Sequence, residues 1–441
     1  MVILTLNCRS QSITYTLFAW EQRRLLASGA VEGLGTPQAE ACLDLPDGSR
    51  LCRTAECPDH RSAVALLLAM LTEPGCGLLD QPERIAAVGH RVVHGGERFS
   101  RSVPIDEAVI AAIRAVEHLA PRYNGPNLAG IEAARALLPE IPQIAIFDTS
   151  FHQSLPRHAF IYPVPWAWYE NYGVRRYGFH GTSHLYLAKR AAALLGKPAA
   201  ACSLITIHID LGISLCAIRN GVSIDTSMGL TPIEGAMMES RCGDIDPGIP
   251  PFLMEMEKLS PAGLEEILNQ RSGLLGITGT CASRREVLAR ATAGDPRCLL
   301  AAEMEAYRLK KYIGGYIAAV GRPDAIIFTS GNGHLEASVR VRVLGNLGCF
   351  GIRLDPARNQ AVEAAESETL ISAADSAVKV FVVPTHEELV FAADVAGILN
   401  GSFADHLDYD YPFAGADFPV YPSAWRFPTE SEVGLGNRLC R

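Results

Sequence analysis

The sequence contains no uninterrupted apolar stretch approaching the roughly 18 residues that a membrane-spanning helix needs. Its N-terminus, MVILTLNCRSQS, shows neither a basic leader nor an apolar segment of signal-peptide length, which predicts a cytoplasmic protein. An excess of positive charge is absent too, since 39 Lys and Arg against 48 Asp and Glu give a formal net charge of −9. A generic nucleic-acid-binding surface is therefore not expected, and any anion site must be a local cluster of arginines.

The twelve cysteines form no C-x-x-C pair, the spacing typical of metal-binding and redox motifs. They are scattered along the chain, and Cys52 and Cys57 are the closest two in sequence. This pattern predicts reduced thiols with structural roles and no cysteine metal site.

Three blocks of the sequence combine arginine with histidine, glycine or acidic residues. Val174–His184 (VRRYGFHGTSH) has two arginines, two histidines and two glycines, and Gly89–Phe99 (GHRVVHGGERF) has two arginines and two histidines around a glycine pair. In Asp225–Pro247, Arg241 lies among small residues and aspartates. Cationic donors beside glycines, which let the backbone approach a ligand, are typical of phosphate sites. Taken alone, Val174–His184 has a simpler interpretation as a basic surface turn.

Together with Phe147–His152 (FDTSFH), these blocks resemble the acetate kinase family, which includes propionate and butyrate kinases, and the resemblance runs collinearly to about residue 398. It implies an α/β fold with two ribonuclease-H-like domains, as in actin and the sugar kinases, and an active-site cleft between them. It also implies a homodimer, with reversible, Mg²⁺-dependent phosphoryl transfer from ATP to a short-chain carboxylate. Domain closure would bring Arg91 and Arg241 together around the transferred group.

The internal organisation agrees with that expectation. Val2–Trp20 and Ser203–Thr226 share a strand–turn–strand plan, which indicates a duplication. We expect a first domain over residues 1–150, completed by a helix near 385–400, and a second over 151–384. Residues 401–441 form an extension rich in proline and aromatics, which we expect to dock on the body or on a second subunit. Further predicted elements are the helices Arg61–Leu71, Asp106–His118 and Leu128–Leu138 and the strands Asp324–Phe328 and Val378–Val383.

Phosphoryl transfer to a carboxylate joins two anions, so it needs preorganised cations rather than a general base. Arg91 and Arg241 suit this role because a guanidinium binds two oxygens at once. His180 would add a donor to the phosphoryl group.

The resemblance assigns further roles to matching positions. Asn7, Asp148 and Glu387 match positions that bind or orient Mg²⁺, and oxygen donors suit that ion. Arg91 also contacts the carboxylate, whose apolar tail would be lined by Val93, Phe179 and Pro232. The nucleotide and phosphate positions are Ser10, Ser12, Thr14, His208, Gly212, Ser283, Arg285, Gly331 and Gly333.

Departures from the family pattern cluster on the nucleotide side. Arg9 replaces a glycine and Thr14 a lysine in the first turn, so Arg9 implies either backbone strain or a rebuilt loop. Asp210 and Leu211 replace glycine and asparagine in the second turn, where Asp210 would repel polyphosphate unless a metal or Arg9 compensates. Ser283 stands in place of an aspartate.

The acyl side has one departure, because Arg122 and Tyr123 replace leucine and histidine. Arg122 either points away or shifts the preference toward a substrate with a second anionic group. Three functions remain open from the sequence. They are an acyl kinase using ATP, an acyl kinase using pyrophosphate or another donor, and a non-catalytic sensor of acyl phosphates or carboxylates.

Overall fold

The computed structural model describes residues 1–75, 78–330, 337–364, 368–416 and 418. The chain forms two compact units. Unit 1 comprises Met1–Ser154, His180–Ala193 and the chain from Thr385 onward, and unit 2 comprises Leu155–Phe179 and Leu194–Pro384.

Unit 1 is built on an eight-stranded sheet with the order β5-β4-β3-β2-β1-β6-β8-β7. Strands β1 to β5 form antiparallel ladders, whereas β1, β6 and β8 are parallel neighbours. The strands are β1 Val2–Cys8, β2 Ser12–Ala19, β3 Arg24–Glu32, β4 Ala39–Asp44, β5 Arg50–Ala55, β6 Ile85–Val92, β7 Val103–Pro104 and β8 Gln143–Phe147.

The helices α1 His60–Leu71, α2 Glu107–Ala115, α3 Asn124–Leu137, α6 Gly181–Leu195 and α14 Glu387–Leu399 accompany this sheet. Helix α3 packs on β1 and β6, and α14 packs on β1, β6 and β8. Ten consecutive residues of α14 are buried, which follows from its nearly continuous apolar sequence.

Unit 2 repeats the strand plan in a six-stranded sheet with the order β11-β10-β9-β12-β14-β13. An antiparallel trio is again followed by two parallel strands, which confirms the predicted α/β class and the duplicated hairpin. The strands are β9 Ser203–Ile209, β10 Ile213–Arg219, β11 Val222–Thr226, β12 Ala325–Ser330, β13 Thr369–Leu370 and β14 Lys379–Val382. The helices are α4 Arg157–Phe160, α5 Trp166–Tyr172, α7 Ile249–Met256, α8 Pro261–Gln270, α9 Gly273–Thr278, α10 Arg284–Thr292, α11 Pro296–Val320, α12 Ala337–Leu344 and α13 Pro356–Gln360. Within the described ranges, no helix is both long and apolar enough to cross a bilayer.

The prediction that all cysteines are reduced is wrong for two of them. Cys42 and Cys52 face each other in the β4–β5 ladder and form a disulfide. The pairing depends on the strand register, which brings together residues ten positions apart, and sequence spacing alone does not show it.

The described part of the C-terminal extension, residues 401–416 and 418, is called here the C-terminal segment. Its aromatic side chains Tyr411 and Phe413 are each 1% exposed within unit 1, so the expected docking is confirmed for this part. The rest of the extension, which contains the aromatic residues Tyr421, Trp425 and Phe427, lies outside the described residues.

Candidate active site

Three predicted site residues of unit 1 lie at the carboxyl ends of adjacent parallel strands. Asn7 and Arg91 lie near the ends of β1 and β6, and Asp148 follows β8 directly. The register pairs Leu6 with His90 and Val92 with Phe147. Since parallel strands end at one sheet edge, the topology places these three side chains together there.

Arg91 and Asp148 form a direct ion pair with bidentate geometry. The Arg91 Nε lies 3.0 and 3.2 Å from the two carboxylate oxygens of Asp148, and Nη2 lies 2.7 Å from Oδ2. The Arg91 side chain is 14% exposed and that of Asp148 is 2% exposed. Such a fork fixes the plane of the guanidinium.

His180 has a left-handed backbone, with φ 58°, immediately before α6. It is 9% exposed. The next residue, Gly181, donates its N–H to Asp148 O at 2.9 Å, and a Cβ on it would lie 2.2 Å from that oxygen. The strained His180 and the required Gly181 together bring the start of α6 against Asp148, and local strain of this kind is concentrated at functional sites.

Glu387 is the first residue of α14 and accepts a hydrogen bond on Oε2 from the Thr182 hydroxyl. Asn7 is 4% exposed, while Glu387 is half-buried. With Asp148, these residues supply an amide oxygen and carboxylate oxygens, the hard donors that Mg²⁺ prefers. A carboxylate oxygen can accept more than one bond, so the pair of Asp148 with Arg91 is compatible with a metal.

Sequence reasoning missed two buried asparagines of α3. The Asn127 carboxamide accepts from Val93 N at 3.0 Å and donates to Cys8 O at 2.8 Å. Asn124 accepts from His94 N and donates to His94 O. These asparagines hold the backbone after β6, including the predicted acyl-pocket residue Val93. The feature of the sequence that could have identified them is the presence of polar residues on the buried face of an amphipathic helix.

The first phosphate turn lies between β1 and β2. Arg9 donates its N–H to Ser12 O at 2.8 Å and accepts at its carbonyl from the His60 ring at 2.9 Å. The sequence predicts either backbone strain at Arg9 or a rebuilt loop. Arg9 does not have a positive φ, so the loop avoids the strain. Ser10 is exposed and lies 3.5 Å from Arg122 O, whereas Ser12 is buried.

Thr14 lies within β2, opposite Asn7, and is 1% exposed. Its hydroxyl has no hydrogen-bond partner among the described residues. A buried hydroxyl of this kind is costly unless something satisfies it.

The arginines of Val174–His184 support the fold of unit 2. Arg176 donates to Glu234 at 2.6 Å and to the carbonyls of Thr226 and Ser227. The Arg175 guanidinium stacks 3.6 Å from the Phe160 ring centroid. Both side chains are therefore bound by groups within unit 2. They do not form the anion site that the sequence predicts.

Arg241 lies in a loop that is fixed from two sides. Its carbonyl accepts from Met238 N, and Gly235 N donates to the Asp244 carboxylate at 2.8 Å. Two side chains of α11, Arg308 and Tyr312, donate to Asp244 at 2.6 Å each. The loop therefore holds a half-buried arginine on a rigid base.

The second phosphate turn follows β9 in unit 2. His208 is 5% exposed near the end of β9, and Asp210 N donates to Gly212 O at 2.9 Å. Burial raises the pKa of Glu239, and the negative charge of Asp210 raises it further. Arg284, whose bidentate partner is Glu305, also feels the charge of Asp210, so unit 2 has its own cation near this carboxylate.

The remaining predicted positions are dispersed in unit 2 or lie outside the described residues. Ser283 is the half-buried residue before α10, and Arg285 is exposed in its first turn. Phe179 is 1% exposed and Pro232 half-buried. Gly331 and Gly333 lie outside the described ranges.

Comparison with known proteins identifies the family. Residues 2–393 match the Acetokinase family. The acetate kinases of Trichlorobacter lovleyi and Geobacter metallireducens are 53% and 54% identical over 418 residues, which span 95% of this chain and 99% of each relative.

Solved structures agree with the sequence comparison. An acetate kinase of Porphyromonas gingivalis superposes with a TM-score of 0.86 at 42% identity, over 90% of this chain and 99% of that one. A propionate kinase of Francisella tularensis superposes with a TM-score of 0.83 at 34% identity, over 89% and 98%. The chain therefore belongs to the acetate kinase family and is a phosphotransferase with a carboxyl group as acceptor.

Proposed function

We propose that the protein catalyses the reversible transfer of the γ-phosphoryl group of ATP to acetate or another short-chain carboxylate, in the cytoplasm and with Mg²⁺. The observation that supports this most directly is the buried bidentate Arg91–Asp148 pair beside Asn7 at the ends of three parallel strands. The names of the relatives supply acetate as the default acceptor.

In the forward step, a carboxylate oxygen attacks the γ-phosphorus, the bond from phosphorus to the bridging oxygen breaks, and ADP leaves. Arg91, His180 and Arg241 are proposed to neutralise the charge on the equatorial oxygens. Asp148 fixes the guanidinium plane of Arg91. Asn7, Asp148 and Glu387 would hold Mg²⁺, which supplies charge neutralisation on the phosphate oxygens.

Arg122 bears on the acyl group. It immediately precedes Tyr123 and α3, whose asparagines fix the Val93 backbone. We propose that it tunes acceptor choice, so acetate, propionate and a dicarboxylate such as succinate belong in one comparison.

A homodimer is proposed from the family resemblance and from exposed apolar residues of unit 2. In α7, only Glu255 is charged and no residue is buried, with Phe252 60% and Met256 65% exposed. Apolar surface of this kind is typical of interfaces. Light scattering after gel filtration should give a dimer, and Phe252→Glu should give a monomer; a monomeric wild type would contradict the proposal.

Acyl-phosphate formation tests the function directly. Purified protein is incubated with Mg²⁺, carboxylate and either ATP or pyrophosphate, and the product is trapped as the hydroxamate. Turnover with ATP is expected. Turnover with pyrophosphate alone would replace the donor, and no turnover with either, in both directions, would overturn the proposal.

A further inference from the structure

The C-terminal segment contacts three places in unit 1 that lie next to proposed site residues: helix α6 after His180, helix α14 with Glu387, and the turn with Asp148. On α6, Lys189 donates to Leu407 O at 3.1 Å and Arg190 to Phe413 O at 2.6 Å. On α14, Tyr409 donates to Ala393 O at 3.2 Å. The third place is the turn that follows β8.

His406 reaches that turn directly. Its Nε2 lies 2.9 Å from the Ser150 hydroxyl, and Ser150 donates to Phe147 O at 2.8 Å across Asp148. Both side chains are buried, with His406 3% and Ser150 4% exposed. The single hydrogen of Ser150 is used on Phe147 O, so the oxygen of the hydroxyl is left as the partner of Nε2.

The other face of His406 is also satisfied. Nδ1 lies 2.9 Å from the Tyr411 hydroxyl, which lies 2.7 Å from Asp394 Oδ1. Ser102 donates to Asp394 Oδ2 at 2.6 Å. The Tyr411 hydroxyl donates to Asp394 Oδ1, so this carboxyl group accepts from both Tyr411 and Ser102. Burial raises the pKa of Asp394 to about 7 and lowers the pKa of His406 to about 4.

We propose that His406 is a positioning residue for the reaction, which fixes the Asp148 turn through Ser150. The inference rests on the proposed role of Asp148. The turn has a second support, since Asp148 N donates to Val92 O and Asp148 O accepts from Gly181. Because these backbone bonds remain, the turn should stay folded when His406 is replaced. What His406 adds is a fixed orientation of the Asp148 carboxylate that holds Arg91.

The two ring nitrogens of His406 allow a matched pair of variants. In His406→Gln, the amide nitrogen occupies the place of Nε2, which retains the donor to Ser150. In His406→Asn, the amide matches Nδ1, which retains the Tyr411 contact and loses Ser150. A general anchoring role predicts the same effect for both, whereas positioning separates them.

We expect His406→Asn to lower kcat about five- to tenfold, with KM for acetate within twofold, because one buried hydrogen bond near the reacting groups is lost. His406→Gln should remain within twofold of wild type. Tyr411→Phe should lower Tm and leave kcat within twofold, and hydrogen exchange of residues 147–154 should accelerate only in His406→Asn.

Equal kcat in the Asn and Gln variants, or unchanged exchange of residues 147–154 in His406→Asn, would overturn the inference. The variant Asp148→Asn distinguishes a failure of this inference about His406 from a failure of the proposed function. If Asp148→Asn turns over at the wild-type rate, the role of Asp148 is wrong and so is the catalytic consequence for His406. The exchange measurement decides independently whether His406 holds the turn.

Discussion

At the scale of single residues, the site depends on side chains whose chemistry allows no close substitute. Arg91 holds Asp148 with two nitrogens, and lysine carries a single point charge in place of that fork. Arg241 presents the same guanidinium from a loop braced by α11.

Arg241→Lys and Arg241→Ala should each reduce kcat by about two orders of magnitude or more, because an oriented donor to the transferring phosphoryl group is removed. Hydroxamate formation measures the rate, and circular dichroism with Tm checks the fold. Arg219→Lys, at the exposed end of β10 and outside the proposed site, is the control. Near-wild-type turnover in both Arg241 variants would remove this arginine from the site.

Gly181→Ala tests the close approach of α6 to Asp148. Its Cβ would lie 2.2 Å from a backbone oxygen, so we expect a loss of about 1–3 kcal/mol in unfolding free energy and a lower kcat. Gly314→Ala in α11 meets nothing within 4 Å and should stabilise by about 0.5–1 kcal/mol. Denaturant titration of both compares them, and a Gly181→Ala protein as stable as wild type would contradict the assigned contact.

At the scale of elements, the β4–β5 hairpin forms the outer edge of the sheet of unit 1. The side chains of β5 are largely exposed, so few apolar contacts hold this strand. The Cys42–Cys52 disulfide joins it to β4.

Reduction of this disulfide should lower the unfolding free energy by about 2–3 kcal/mol, as expected for a closed loop of this length. Turnover should not change, since both cysteines lie on strands away from the parallel strand ends. Cys52→Ser should match the reduced protein, and Cys349→Ser, at an exposed free cysteine, should match wild type. Equal denaturation midpoints for oxidised and reduced protein would show that the bond does not stabilise the hairpin.

Local sequence patterns predict those features of the structure that residues close in sequence determine. The paired hairpins, α1 and the first residues of α14 follow from hydrophobic periodicity and turn residues, and collinear motifs located Arg91, Asp148 and Glu387. The contacts of Asn127 with Cys8, of Cys42 with Cys52 and of His406 with Ser150 depend on register and docking, which no local pattern contains. Arg176 shows the opposite error. Its motif has the composition of an anion site, but the side chain pairs with Glu234 and stabilises the fold of unit 2.

At the scale of the whole molecule, Asp394 and His406 make opposite contributions to the pH dependence of stability. Burial raises the pKa of Asp394 from 3.8 to about 7, so its contribution is fully present below the lower value and is lost as pH rises toward 7. Burial lowers the pKa of His406 from 6.5 to about 4, so its contribution is present above 6.5 and is lost as pH falls toward 4. Ser102, Tyr411 and Ser150 face this pair, with Lys189 and Asp405 as nearby charges.

The two contributions oppose each other between pH 4 and 6.5. Relative to wild type, the Tm of Asp394→Asn should therefore rise with pH over this range, and that of His406→Gln should fall as pH rises toward 7. Thermal unfolding over a pH series measures both differences. Slopes of the same sign in the two variants would contradict these assignments.

The discontinuous make-up of unit 1 also has a consequence for biosynthesis. When the first 154 residues leave the ribosome, α6, α14 and the C-terminal segment are missing, and the sheet faces that α14 covers are exposed. At translation rates of about 5–20 residues per second, the interval before α14 emerges lasts on the order of tens of seconds. The nascent chain thus exposes apolar sheet surface throughout synthesis of unit 2, which makes this stage the one at which aggregation or binding by chaperones is expected.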